Sequence, residues 1–218
     1  MERLIKIDSI RPKSAVEVKT SKLGIGFEKL DRAVFDPNKA YDKVAQLGVK
    51  WIRLQSGWAR TEKEEGIYDF AWLDDIVDNL IVRGLKPWMC LAYGNGIYTA
   101  EANKIFGAVG CPPIETERER CAWDRYVFAL TQRYIGRVEH FEVWNEPNWF
   151  WSHIAHEHQP NGTEYGEFVI RTSKAVKRAN PNAKVIGGVE SVGDIAFINK
   201  AFQTGMGAVS YTHLTLPT

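Results

Sequence analysis

The sequence contains few cysteines, and none of them lies in a motif with a known task. Its 218 residues include three, Cys90, Cys111 and Cys121, and an odd number cannot all pair within one chain. None of them forms a C-x-x-C motif, which argues against a zinc ribbon or a redox-active pair. We therefore predict reduced thiols that act as small apolar side chains.

An excess of charge and long apolar runs are missing too. The 28 basic and 27 acidic side chains leave a formal net charge of +1, which gives no electrostatic reason to expect nucleic acid or an anionic membrane as a partner. No apolar run approaches the ~18 residues that a membrane helix needs, and MERLIKIDSI lacks the apolar segment of a signal peptide. We expect a cytoplasmic protein; its oligomeric state is not predicted.

The composition is otherwise that of an ordinary globular domain, with 44% hydrophobic and 25% charged residues. The length suffices for one sizeable core and is short for two domains. Tryptophan is abundant, with eight residues. Core packing explains buried rings, whereas flat rings around a polar cleft would suit the C–H faces of sugars, and both explanations stay open.

Strand-like and helix-like segments alternate from residue 23 onward. Asp36 before Pro37 and the T-x-x-E box of Thr116 and Glu119 are helix start signals. The predicted strands are 23–30, 49–55, 86–93, 138–145 and 184–189. The predicted helices follow Asp36 and cover about 71–83, 119–134 and 164–179.

This alternation predicts right-handed crossovers and a parallel sheet. An open doubly wound sheet and a (β/α)8 barrel both fit. A doubly wound nucleotide-binding sheet needs a glycine-rich turn after its first strand, but Gly24 and Gly26 lie within that strand. The α/β class is therefore predicted as a (β/α)8 TIM barrel, of which this chain holds about the first five βα units.

Polar and aromatic residues gather where the predicted strands end, which is where barrel enzymes carry their functional groups. In chain order they are Glu28, Arg53, Gln55, Trp58, Tyr93, Gly94, Asn95, Trp144, Asn145, Glu146 and Glu190. Each of the five ends carries at least one such group, which chance explains poorly.

The W-N-E-P motif of residues 144–147 closes the fourth strand, and Arg53 lies in WIRLQ of the second. Together they resemble the retaining (β/α)8 glycoside hydrolases, with glycoside hydrolase family 39 most similar and family 5 as the neighbouring possibility. The resemblance covers about residues 23–189. It implies a glycosidase that acts on an oligosaccharide or glycoside and needs no cofactor.

The resemblance also implies roles. Glu146 would be the general acid/base, Asn145 would bind the sugar 2-hydroxyl, and Arg53 would lie beside the nucleophile and hold it ionised. Five residues are candidate substrate contacts by position alone: Trp58, Tyr93, Asn95, Trp144 and Trp149.

Structural explanations compete with several of these roles. Glu146 could cap a loop, Arg53 could be a structural ion-pair partner, and the tryptophans could be core residues. Neither Glu28 nor Glu190 is predicted to be catalytic. His153, His156 and His158 form H-x-x-H-x-H, which lacks the H-E-x-x-H order of zinc peptidases, so no metal site is predicted.

The resemblance places the nucleophile at the end of a seventh strand, which this chain does not contain. Its last ten residues, VSYTHLTLPT, continue no helical pattern and match the translation of a DNA string that resembles a transposase adapter. We therefore predict an N-terminal extension at 1–22 (accessory strands or a plug under the barrel), the first part of a barrel at 23–208, and a non-biological tail at 209–218. A sugar-binding protein without catalysis and a structural α/β domain remain alternatives.

Overall fold

The computed structural model of the protein describes residues 7–9, 11–150, 161–188, 190–191 and 193–210. Within them, five parallel strands form one sheet in the order β1-β2-β3-β4-β5. The strands are β1 (Gly24–Gly26), β2 (Trp51–Gln55), β3 (Lys86–Leu91), β4 (His140–Val143) and β5 (Lys184–Ile186). A barrel adds each strand beside the preceding one, whereas a doubly wound sheet reverses direction at a switch point. The observed order is that of a barrel.

Helices alternate with these strands. They are α1 (Tyr41–Ala45), α2 (Trp58–Thr61), α3 (Ala71–Val82), α4 (Glu117–Arg133), α5 (Pro147–Phe150), α6 (Gly162–Ala179) and α7 (Ile195–Gln203). Short 3-10 turns at 30–32, 37–39, 100–104, 106–108 and 206–208 lie in the connections. In the described residues, none of the helices is long and apolar enough to cross a membrane.

Both predicted helix start signals are confirmed. The carboxylate of Asp36 accepts a hydrogen bond from the backbone N–H of Asn38 at 3.0 Å, although a 3-10 turn comes first and α1 begins only at Tyr41. At α4, the Thr116 hydroxyl accepts from the Glu119 N–H at 3.2 Å, and the Glu119 carboxylate accepts from the Thr116 N–H at 2.9 Å. These bonds satisfy N–H groups that a helix start leaves without partners.

The core lies between the sheet and the long helices. On α3, one stripe of side chains is buried at Leu73, Ile76, Val77 and Leu80, because these positions recur on one side of a 3.6-residue turn. Trp72 and Ile81 lie at the edge of this stripe and are partly exposed. On α4 the buried side chains include Trp123, Tyr126 and Leu130, all without exposed surface.

Four of the five strands are shorter than predicted at their C-terminal ends, and β2 ends at Gln55 as predicted. β3 ends at Leu91 rather than at residue 93, and β4 ends at Val143 rather than at residue 145. At β4 the reason is the backbone: Trp144 has φ 67°, in the left-handed region that a strand cannot continue through. The functional segments therefore lie in loops at the strand ends.

The predicted accessory strands are absent from the described part of residues 1–22. Residues 15–17 form a turn instead. The backbone N–H of Ala15 donates to the Ala45 carbonyl at 2.7 Å, and Lys50 Nζ donates to the Ala15 carbonyl at 2.8 Å. Since Lys50 directly precedes β2, this segment packs at the N-terminal end of the sheet, away from the strand ends that carry the predicted site.

Candidate active site at the carboxyl ends of the strands

Arg53 connects the polar side chains at the carboxyl ends of the strands. Its Nε donates to both oxygens of Glu142, at 3.0 and 3.2 Å, and its Nη2 donates to the same carboxylate. Nη2 also donates to Asn145 Oδ1 at 2.9 Å, and Nη1 donates to Glu28. One guanidinium therefore joins β2, β4, the loop that follows β1 and the loop after β4.

Glu142 is the central site residue that the sequence interpretation missed. It lies inside β4, is 3% exposed, and accepts a further hydrogen bond from Trp88 Nε1 at 3.0 Å. A signal was present in HFEV, because a carboxylate in a short apolar strand must find a charged partner once it is buried. Alternation along the strand also puts it on the same side as His140.

The electrostatics of this cluster favour the charged form of Arg53. Burial by itself lowers the pKa of the guanidinium, but the acidic groups around it, among them the carboxylates of Glu142 and Glu28, hold that pKa above its ordinary value. Cys90, opposite Glu142 in the sheet, behaves differently. Burial, followed by the nearby negative charge of Glu142, raises the pKa of its thiol well above the ordinary value. Cys90 is therefore a neutral thiol, as predicted.

The W-N-E-P segment has an unusual backbone. Trp144 and Glu146 both have positive φ, 67° and 48°, a region in which side-chain-bearing residues are uncommon and strained. The Cys90 thiol donates to the Trp144 carbonyl at 3.2 Å, and the Trp149 N–H donates to the Glu146 carbonyl at 2.9 Å as α5 begins. The positive φ angles of Trp144 and Glu146 turn the backbone away from the sheet immediately after β4.

Glu146 and Asn145 are both partly exposed at this turn. The Asn145 amide oxygen is occupied by Arg53, which leaves its Nδ2 group to donate elsewhere. Within the described residues, the Glu146 carboxylate has no hydrogen-bond or ion-pair partner. The site thus presents an uncommitted carboxylate beside an oriented amide donor.

Tyr93 and Trp144 have little or no exposed surface, 4% and 0%. Their rings meet edge to face with centroids 5.5 Å apart. The Tyr93 hydroxyl accepts from Gln55 Nε2 at 3.1 Å. Trp144 differs from its predicted role as a sugar contact, because its whole surface is covered by protein.

Trp58 and Asn95 also differ from their predicted roles as substrate contacts. Trp58 has no exposed surface and stacks on Tyr98 and Tyr126, with ring centroids 5.3 and 5.6 Å away. Asn95, 3% exposed, donates to the Glu62 carbonyl at 2.8 Å and accepts from the Ile97 N–H at 2.9 Å. Neither has surface left for a sugar: Trp58 packs in the core, and Asn95 connects the loop after β3 to the loop after α2.

Trp149 is the predicted contact residue with the most exposed surface. It lies on α5, three residues after Glu146, and is 59% exposed. The histidine segment at 153–158, for which no metal site was predicted, lies outside the described residues. Among the residues that are described, no three His, Cys, Asp or Glu side chains form a metal-binding cluster.

Comparison with known proteins places this architecture in context. A β-xylosidase from Caldicellulosiruptor saccharolyticus is 27% identical over 169 residues, which are 67% of this chain and 32% of the relative. A β-galactosidase, BgaH, from Haloferax lucentense is 26% identical over 130 residues, 51% of this chain and 19% of the relative. The structure of a family 39 glycoside hydrolase from Bacteroides cellulosilyticus superposes with a TM-score of 0.65 at 21% identity, covering 86% of this chain and 36% of that one.

The sheet order and the structural similarity define the first part of a TIM barrel, which confirms the predicted fold class. The family model described as "Glycosyl hydrolases family 39" matches residues 33–202. The chain belongs to that family. It spans about a third or less of the length of the two curated relatives.

Proposed function

We propose that the full-length protein hydrolyses O-glycosidic bonds with retention of anomeric configuration, and that Glu146 is its general acid/base. The observation that carries this proposal is the uncommitted, partly exposed Glu146 carboxylate at the end of β4, next to the oriented Asn145 amide. Such a carboxylate can first protonate the leaving glycosidic oxygen and then deprotonate the water that resolves the intermediate.

Asn145 is the residue proposed to bind the sugar 2-hydroxyl. With its Oδ1 held by Arg53 Nη2, its Nδ2 is the group that can meet a sugar, and we assign it to the 2-hydroxyl. That contact strengthens as the transition state gains oxocarbenium character. Trp149 and Tyr93 remain proposed substrate contacts, Trp149 by stacking on a sugar and Tyr93 through the 4% of its surface that stays exposed.

The nucleophile, in this proposal, is a glutamate at the end of a seventh strand that a longer chain would supply. Of the five guanidinium N–H groups of Arg53, one on Nη1 has no partner within the described residues. It can therefore receive that carboxylate. The domain division proposed with it is an extension at 1–22, a partial barrel at 23–208 and an adapter-derived tail at 209–218.

The substrate class follows from the relatives, which are named β-xylosidase and β-galactosidase. Aryl β-xylosides and aryl β-galactosides are therefore the first probes. A glycoside as the partner and a cytoplasmic location belong to the same proposal.

The test uses the full-length protein and two single-residue variants, one on either side of β4. Glu146→Ala should lower kcat by about 100-fold or more, retain saccharide affinity, and regain turnover in azide, which attacks the intermediate without a general base. Glu139→Gln changes an exposed carboxylate at the opposite end of the strand and should leave kcat unchanged. The first product seen by proton NMR should keep the substrate's anomeric configuration.

Two results would contradict the proposal. Inversion of configuration would exclude the retaining mechanism. Saccharide binding by a full-length protein that turns over no glycoside would favour the alternative of a sugar-binding protein on a degenerate barrel.

A further inference from the structure

We propose that Glu142 is a positioning residue for this reaction: it fixes Arg53 so that Nη2 holds the amide oxygen of Asn145 and directs Asn145 Nδ2 at the substrate's 2-hydroxyl. This inference rests on the proposed glycosidase function. It adds a residue that no feature of the W-N-E-P motif indicates.

The first step is the orientation of the guanidinium. Glu142 binds its Nε–Nη2 edge through both carboxylate oxygens. A two-point contact of this kind fixes the plane of the guanidinium as well as its position. The second hydrogen on Nη2 then points to Asn145 Oδ1, 2.9 Å away.

The second step is the rigidity of Glu142 itself. Its side chain is 4% exposed, and Trp88 on β3 donates to its Oε2 at 3.0 Å. The carboxylate is thus bound by side chains from two other strands, Arg53 of β2 and Trp88 of β3. Because the ion pair is buried, its separation would leave the Glu142 carboxylate uncompensated and Arg53 paired only with Glu28, so the pair has little freedom to rearrange.

The third step is that Asn145 depends on this arrangement. It lies two residues beyond the end of β4, and within the described residues its own backbone makes no hydrogen bond to a neighbouring strand. Within the described residues, the hydrogen bond from Arg53 to Oδ1 is the contact that distinguishes the oxygen of the Asn145 amide from its nitrogen. Without it, the amide can turn over and present its oxygen, which could not donate to a hydroxyl.

The chain offers a matched control in Glu62. This carboxylate is also fully buried and also accepts from an indole, Trp58 Nε1, together with the Tyr98 hydroxyl at 2.6 Å and the Gly66 N–H at 2.7 Å. No arginine connects it to Asn145 within the described residues. Glu62→Gln therefore tests the loss of a buried, indole-bound carboxylate without the proposed effect on the amide.

The experiment measures kcat/KM of the full-length enzyme on an aryl glycoside and on its 2-deoxy analogue, with each variant compared with wild type on the same substrate. Glu142→Gln should lose about 10- to 100-fold on the parent glycoside, mostly in kcat, and less than about 3-fold on the 2-deoxy analogue. Glu62→Gln should change both substrates by the same factor. In the double variant with Asn145→Ala, Glu142→Gln should add little further loss.

A milder variant keeps the inference testable if Glu142→Gln does not fold. Trp88→Phe removes one hydrogen bond from the carboxylate and no charge, and should show the same selectivity for the parent glycoside at a smaller size. Equal losses on both substrates in these variants, or no loss, would overturn the inference while the glycosidase function stood. A wild-type enzyme that cleaves neither substrate would overturn the proposed function, and the inference with it.

Discussion

Asn148 and Ser191 bind each other through two reciprocal hydrogen bonds. Asn148 Oδ1 accepts from the Ser191 N–H at 2.7 Å, and Asn148 Nδ2 donates to the Ser191 carbonyl at 2.6 Å. The Asn148 side chain thus pairs with the Ser191 backbone as a neighbouring strand would. This clamp of two hydrogen bonds connects α5, which begins directly after Glu146, to the loop after β5. The two residues are 43 positions apart in sequence.

The first prediction concerns this clamp. Asn148→Ala removes both bonds and leaves the N–H and carbonyl of Ser191 without their partner, so the free energy of unfolding should fall by about 1–3 kcal/mol. Because Glu146 lies two residues away, kcat/KM of the full-length enzyme should also fall, by about tenfold. Thermal unfolding and steady-state kinetics measure the two effects.

Asn38→Ala is the control for the clamp. Asn38 is exposed and its amide bonds only the neighbouring Asp36 among the described residues, so both quantities should stay near wild type. Wild-type kinetics in Asn148→Ala would show that the Glu146 loop keeps its position without the clamp.

The second prediction distinguishes Trp58 from Trp149, both of which were predicted from the sequence to contact substrate. Trp58→Phe keeps a ring in the core but removes the indole N–H from the buried Glu62, so it should lower the free energy of unfolding by about 1–3 kcal/mol without a change in KM. Trp149→Ala removes a ring that is 59% exposed and should raise KM. Chemical denaturation and Michaelis curves of the same samples measure both effects.

The reverse pattern would restore the original interpretation of Trp58. A raised KM in Trp58→Phe at unchanged stability would mean that the ring contacts sugar. An unchanged KM in Trp149→Ala would remove Trp149 from the candidate site.

The fold was predictable because its signals are local and periodic. Thr116 and Glu119 specify the start of α4 by their spacing alone, and the stripe on α3 follows from a 3.6-residue period. The parallel sheet followed from alternation of these elements. The ends of β3 and β4 were placed too late, because apolar side chains continue past the last paired residue, and at β4 Trp144 turns the backbone to positive φ.

The site was predictable only where a motif marks it. Glu146 and Asn145 are recognisable from W-N-E-P, but Glu142 and Asn148 are defined by partners that lie far away in sequence. Arg53 is 89 positions from Glu142. Likewise, nothing in the sequence separates the buried Trp58 from an exposed ring, since that difference depends on which helices pack over it.

The third prediction is a pH dependence at the other end of the sheet. Burial, followed by the positive charge of Lys184 and helped by Lys86, lowers the pKa of His140 below its ordinary value of 6.5, against the opposing charge of Glu139. The imidazole meets the ring of Trp51 edge to face, with centroids 5.1 Å apart. The folded protein therefore favours neutral His140.

The sign of the effect follows from this lowered pKa. Below about pH 6.5 the unfolded chain binds a proton at His140 that the folded protein does not, so stability falls as the pH falls toward the folded pKa, by at most about 1.4 kcal/mol per pH unit. His140→Gln should remove this contribution, and Lys184→Met should reduce it. Denaturation between about pH 7 and 5 measures it as the difference from wild type, and equal slopes in wild type and His140→Gln would contradict it.

The last prediction concerns the partner of Glu146. A retaining glycosidase needs two carboxylates about 5–5.5 Å apart, and the nearby Glu142 and Glu28 are both bound to Arg53. At the observed strand spacing, three more βα units require roughly 130 further residues, in keeping with the size of a complete barrel. We therefore expect the gene to continue past Ala208 and to encode a glutamate at the end of its seventh strand.

Sequencing of the 3′ end from source DNA, by a method without transposase adapters, tests this expectation directly. An open reading frame that continues past Ala208 would replace the codons for 209–218 and supply the missing carboxylate, which a structure of the longer protein should place beside the remaining N–H on Arg53 Nη1. A stop codon directly after Thr218 would remove the nucleophile from the proposed mechanism. Glu146 would then have no catalytic partner, and saccharide binding without hydrolysis would be the function left to test.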